Sequence, residues 1–141
     1  MSQEYSRRSF VKAAGAAAAL AAAPSVLGAN ERIQMGWIGT GTRGRYLEER
    51  AYAGNAAQIK IVALCDTFSV NLAQGKDTVQ TKGGNTPKTY ADYRDLLADK
   101  DVEAVVIATP EHLHHRMLLD ALAAGKNVYV EKSLAYILEE V

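Results

Sequence analysis

A lone cysteine, Cys65, rules out an internal disulfide framework and any cysteine-rich metal site. It ends an apolar run at 59–65, where a small buried core residue is its expected role. An excess of one charge is missing as well, since basic and acidic residues both number 16. Setting residues 1–29 aside removes Arg7, Arg8 and Lys12 against Glu4 and leaves 13 basic and 15 acidic residues. No basic patch remains to neutralise the phosphates of a nucleic acid, so DNA and RNA binding are disfavoured. The longest apolar run, at 13–23, is too short for a comfortable membrane span, which needs about 20 residues. Beyond that run there is no low-complexity stretch and no internal repeat.

The N-terminus carries three features in a telling order. Ser6-Arg7-Arg8-Ser9-Phe10-Val11-Lys12 supplies paired arginines, an alanine-rich apolar run follows at 13–23, and small residues stand at Gly28 and Ala29. A positive segment, an apolar segment and a small-residue cut site in that sequence describe a twin-arginine (Tat) signal. It predicts passage through the Tat export machinery to the periplasm or another extracytoplasmic space. Leu27 is larger than a good residue three before the cut, which keeps an uncleaved membrane anchor as the alternative. The route carries folded proteins, so a cofactor loaded before export is expected. The organisation read from this is a signal at 1–29 and one domain at 30–141.

The domain opens on Ile33-Gln34-Met35-Gly36-Trp37-Ile38, an apolar strand that runs into Gly39-Thr40-Gly41-Thr42-Arg43-Gly44. This G-x-G-x-x-G pattern suits a phosphate cradle. Gly39 permits the tight turn, Gly41 lets backbone N–H groups approach a pyrophosphate, and Gly44 lets the next helix pack on the strand. A helix starting near Thr42 would turn its unpaired amides and positive dipole end toward the ligand.

Periodicity then predicts a helix over 42–53 with Leu47 and Ala51 inward, a strand over 59–65 and a helix over 70–81. A short helix follows Asp92, whose carboxylate suits an N-cap. A third strand over 102–108, a helix over 113–124 and a fourth strand over 127–130 complete the series, and residues 135–141 read as the start of another helix. This alternation implies parallel strands joined by crossover helices, an α/β doubly wound sheet. Asp66, at the end of the second strand, takes the position that accepts hydrogen bonds from the adenosine ribose. A carboxylate there repels a 2′-phosphate, which predicts NAD, with NADP as the alternative. Thr67 and Ser69 stand beside it as contributors to that choice.

The second half carries Ala108-Thr109-Pro110-Glu111-His112-Leu113-His114, and later Ala124-Gly125-Lys126-Asn127-Val128-Tyr129-Val130-Glu131-Lys132. With the glycine turn, these T-P-x-x-x-H and A-G-K-x-V-x-x-E-K motifs resemble the N-terminal domain of the Gfo/Idh/MocA oxidoreductases from about Arg32 onward. The resemblance implies a Rossmann domain that binds NAD or NADP and hydride transfer between nicotinamide and a sugar-like or cyclitol hydroxyl. It also implies a small carbohydrate-like substrate and a second α/β domain that recognises it and often mediates homo-oligomers. The alternatives are an NAD-dependent glycosidase of the same family and a non-catalytic dinucleotide-binding fragment.

Carried over position by position, the cofactor site comprises Gly39, Thr40, Gly41, Thr42, Arg43, Gly44, Asp66, Thr109, Pro110, His114, Glu131 and Lys132. Lys132 is the catalytic candidate, assisting proton transfer, and no metal site is implied. For His114, local packing or hydrogen bonding is expected ahead of a chemical role, and His112 and His115 have no assigned role beyond exposed helix surface. Ser133 stands where the family has proline, so a less rigidly aimed Lys132 is expected. The sequence ends at Val141, and the reading expects a C-terminally truncated Rossmann domain lacking its substrate domain. Such a domain would expose apolar surface that favours association.

Overall fold

The computed structural model describes residues 32–135. The signal at 1–29 and most of the helix expected at 135–141 lie outside the described residues.

Among the described residues, strands and helices alternate: β1 (Ile33–Ile38), α1 (Thr42–Asn55), β2 (Ile59–Cys65), α2 (Ser69–Gly83), β3 (Lys88–Tyr90), α3 (Tyr93–Ala98), β4 (Ala104–Ile107), α4 (His114–Ala123) and β5 (Asn127–Val130). A 3₁₀ turn, Glu111–Leu113, leads into α4. The strands form one parallel sheet in the order β3-β2-β1-β4-β5. This is the doubly wound arrangement expected, with one correction: the sheet has five strands where four were read. The extra strand, β3, is only three residues long and largely exposed, so it has no apolar alternation to betray it.

Each face of the sheet has its own core. Trp37, Ile61, Leu64 and Val106 pack with Tyr52 of α1 and Val79 of α2 on one side. Ile38, Ala63, Cys65, Val105 and Ile107 pack with Leu96, Leu97, Met117 and Ala121 of α3 and α4 on the other. Fully burying an aliphatic side chain of this size contributes about 1.5–3 kcal/mol, so these two layers hold the fold. Cys65 is buried as expected, and burial pushes its thiol up to about 12, which keeps it inert.

Ile61 and Leu64 share a face although three residues separate them along the strand. The register against β1 slips by one at Val62, since Met35 pairs with Ile61 and Gly36 with Ala63. The Ile61 N–H donates to the Tyr52 hydroxyl at 3.3 Å, and the Ile61 carbonyl accepts from Asn85 Nδ2 at 2.9 Å. The irregularity therefore leaves the Ile61 backbone satisfied.

Several other boundaries and caps follow the sequence reading closely. Asp92 accepts from the Arg94 N–H as the N-cap of α3. Helix α1 begins at Thr42, with Leu47 and Ala51 half-buried against the core as expected, and its most deeply buried residues are Gly44, Glu48 and Tyr52. Among the described residues no helix is long and apolar enough to cross a membrane.

Candidate functional site

The carboxyl ends of β1, β2 and β4 deliver the glycine turn, Asp66, and Thr109 with Pro110 to one edge of the sheet. The strand order reverses between β1 and β4, and a crevice forms outside the strands at such a point. A cleft of about 570 Å³ lies here, lined among others by Gly39, Gly41, Asp66, Thr109 and Pro110.

Steric limits dictate the turn. Gly39 has φ +92°, and a Cβ on it would stand 2.7 Å from the Ala108 carbonyl oxygen at the end of β4. A Cβ on Gly44 would collide with the Gly39 carbonyl. Gly41 differs, because its nearest neighbour would be Asn71 Nδ2 at 3.7 Å, which leaves that face of the turn open toward the cleft. Gly41 caps α1 without a side-chain cap bond, and no acidic residue stands in the helix's first turn. The first amides of α1 thus keep their capacity for an anion.

Asp66 is held on both oxygens. Oδ2 accepts from the Thr40 N–H at 2.9 Å and the Thr40 hydroxyl at 3.2 Å, while Oδ1 accepts from the Phe68 N–H at 2.8 Å. Each carboxylate oxygen retains further acceptor capacity, so a diol can still donate to it. An open glycine face, a helix start free of acidic groups and an oriented carboxylate at the cleft fit a dinucleotide.

The remaining expected site residues fall outside the cleft lining. Thr40 is fully buried and serves Asp66. Arg43 Nη2 donates to Glu131 Oε1 at 2.7 Å and lies 5.2 Å from the Tyr46 ring centre, tying the turn to the end of β5. The Arg43 hydrogen bond holds the Glu131 carboxyl below its ordinary value of 4.5, so this tie is kept at neutral pH and lost on acidification. Lys132 is 88% exposed, with Nζ 4.0 Å from Glu111 Oε1, and the Lys132–Ser133 peptide is cis.

His114 is 1% exposed. Its Nδ1 lies 2.7 Å from the Ser133 carbonyl oxygen and its Nε2 2.8 Å from that of Thr109, so the ring joins the two motif loops from behind. His112 is exposed and His115 half-buried.

Sequence reasoning missed the cleft residues Phe68, Asn71, Tyr93 and Arg94. Phe68 is 57% exposed, and the Arg94 guanidinium lies 4.7 Å from the Tyr93 ring centre. Recognising β3 would have found the last two, because they follow its carboxyl end.

A parallel, doubly wound sheet with this turn, this acid and this cleft defines a dinucleotide-binding Rossmann domain. Residues 33–141 match the family described as "Oxidoreductase family, NAD-binding Rossmann fold", and the chain belongs to this Gfo/Idh/MocA family. Residues 4–24 match the twin-arginine translocation pathway signal sequence.

Among curated proteins, glycosyl hydrolase family 109 protein 2 of Shewanella sp. (strain ANA-3) is 34% identical over 97% of this chain and 35% of its own length. Among solved structures, myo-inositol 2-dehydrogenase from Lactobacillus plantarum is similar with a TM-score of 0.67 and 27% identity, over 78% of this chain and 31% of that one. Myo-inositol dehydrogenase from Lactobacillus casei, solved in complex with NAD(H) and myo-inositol, has a TM-score of 0.66 and 28% identity over the same shares. The chain therefore spans about a third of the length of these relatives.

Proposed function

We propose that this chain is the cofactor-holding part of an exported NAD-dependent oxidoreductase that passes hydride between nicotinamide and a sugar-like or cyclitol hydroxyl. The observation that carries the reading is Asp66, oriented by Thr40 and Phe68 at a cleft that begins on the open face of Gly41. The Asp66 carboxylate holds the ribose diol, the amides at the start of α1 hold the pyrophosphate, and the adenine lies toward Phe68 and Tyr93. Thr109 and Pro110 border the nicotinamide end. Nicotinamide, when bound, supplies the hydride acceptor. Lys132, exposed at the rim, passes the hydroxyl proton: as the amine it accepts the proton when hydride leaves the carbinol carbon, and as the ammonium it returns the proton in the reverse direction.

A glycosidase that keeps NAD bound is the second reading, favoured by the relatives named as glycosyl hydrolase family 109 proteins. Both readings use the same cofactor residues. The twin-arginine signal supports delivery to an extracytoplasmic space. Exposed Leu119, Leu122, Tyr129 and Leu134, on or beside α4 and β5, support association with a second copy.

Calorimetric titration of the 141-residue chain with NAD and NADP tests the cofactor assignment. NAD is expected to bind the more tightly, and binding of neither nucleotide overturns the reading. Losing one charge-assisted hydrogen bond costs about 1.5–3 kcal/mol, so Asp66→Ala is expected to weaken NAD by about tenfold or more and NADP less. Equal affinities before and after the substitution would remove the ribose from Asp66.

A further inference from the structure

Glu48 is an acid with no place in the site just described, yet it lies directly behind it. Its side chain is fully buried in the middle of α1, and among the described residues neither carboxyl oxygen has a hydrogen-bond partner. An ionised carboxylate without a partner is costly in such a place, so the group is held as the neutral acid. Burial pushes its pKa from the ordinary 4.5 up to about 8.

Its surroundings lead straight to the turn. A Cβ on Gly75 of α2 would stand 2.9 Å from Thr40 Cβ and 3.3 Å from Glu48 Oε1, so α2 presents bare backbone to both residues at one contact. Thr40 in turn holds Asp66 through its N–H and its hydroxyl. The charged and titratable neighbours are few. On α1, Arg45 favours the ionised form of Glu48 and Glu49 opposes it, and the Tyr52 phenol feels the same carboxyl. On α2, Asp77 shares a surface groove with Arg45. On the turn, Asp66 lies beyond Thr40.

Arg45 is the residue with a choice. Its Nη1 donates to the Thr40 carbonyl at 2.8 Å and leaves Glu48 without an ion pair. An ionised Glu48 competes with that carbonyl for the guanidinium and adds negative charge behind the amides that face the pyrophosphate.

We propose that Glu48 is a proton-linked positioning residue of the phosphate turn: its neutral form keeps Arg45 on the Thr40 carbonyl and Thr40 on Asp66, and nucleotide binding is coupled to retention of that proton. The inference rests on the dinucleotide reading given above. Coupling is reciprocal, so a bound nucleotide holds the Glu48 proton more tightly and binding takes up protons where the free protein has lost them. The same linkage bears on stability. The folded protein binds this proton more tightly than the unfolded chain, so its stabilising contribution is complete below about pH 4.5 and is lost as pH rises through about 8.

The experiment is calorimetric titration of the whole chain with NAD between pH 7 and pH 9, in buffers of different ionisation enthalpy. A competent fraction set by a midpoint near 8 predicts about a tenfold fall in affinity over that range, with proton uptake on binding. Glu48→Gln, of the same shape without the titration, is expected to hold its affinity within about twofold and to take up no proton. Glu48→Met serves as a second non-titrating variant should the amide fold poorly. A flat profile in the parent chain, or the same slope and uptake in either variant, overturns the proposal.

Amide NMR of the nucleotide-free chain separates this inference from the cofactor reading. The Thr40 and Asp66 signals are expected to shift with a midpoint near pH 8 in the parent and to stay still in Glu48→Gln. If NAD fails to bind at any pH, the cofactor reading falls. The Thr40 and Asp66 amides then decide the link between Glu48 and the turn, movement supporting it and stillness overturning it.

Discussion

Gly44→Ala is expected to lower NAD affinity about a hundredfold. The new methyl group points at the Gly39 carbonyl, and that obstacle is backbone, which has no rotamer by which to step aside. Helix α1 must then move away from the turn that feeds it. Forced overpacking costs typically 1–3 kcal/mol, and the upper end corresponds to about a hundredfold in a dissociation constant. The amides that face the pyrophosphate shift with the helix, so the loss appears in binding as well as in stability. Calorimetry with NAD checks the first and thermal unfolding the second. An affinity within a few-fold of the parent would show that the helix start and the turn are not held in contact.

His114→Ala is expected to destabilise the folded chain by about 3–4 kcal/mol. Part of the loss is the cavity left by a buried ring, and part is the hydrogen bonding of the ring toward the Thr109 and Ser133 carbonyls. His114→Gln keeps one donor and much of the volume, so it is expected to fall between parent and alanine variant. Urea unfolding measures the series. Equal midpoints for all three would mean that the imidazole does not tie the two loops. The sequence reading set local packing or hydrogen bonding for this residue ahead of a chemical role, and its ring nitrogens both face backbone carbonyls.

What the sequence disclosed follows from how each feature is encoded. The carboxyl-terminal stretches of β1, β2 and β4 (36–38, 61–65 and 105–107) are largely buried in a parallel sheet, and burial on both faces writes apolar runs that can be read directly. The turn is legible because two of its three glycines, Gly39 and Gly44, are forced by steric contact, and Asp66 is legible because it ends a readable strand. β3 has neither kind of mark, and the residues after it were lost with it. Glu48 was invisible for another reason. A glutamate on a helix bordered by Arg45, Glu49 and Arg50 reads as part of a solvated face, and only the close approach of Gly75 and Thr40 encloses it. The slip at Val62 likewise depends on the pairing partner, because nothing in the run 59–65 distinguishes a bulged strand from a regular one.

The central position of β1 has a consequence for timing. Among the described strands it is the first to leave the ribosome, yet its two neighbours are β2 and β4, and the Met35–Ala104 pairing spans most of the domain. Parallel pairing across so long a stretch of chain is intrinsically slow, because the loop entropy is lost before the contact is gained. The cradle is finished later still, since Arg43 finds Glu131 only after β5 has been added. Synthesis proceeds at roughly 5–20 residues per second, so the segment that matches the twin-arginine signal is made seconds before Glu131. For a transport route that accepts folded cargo, β5, the last of the described strands, must join the sheet before the cradle is ready to travel.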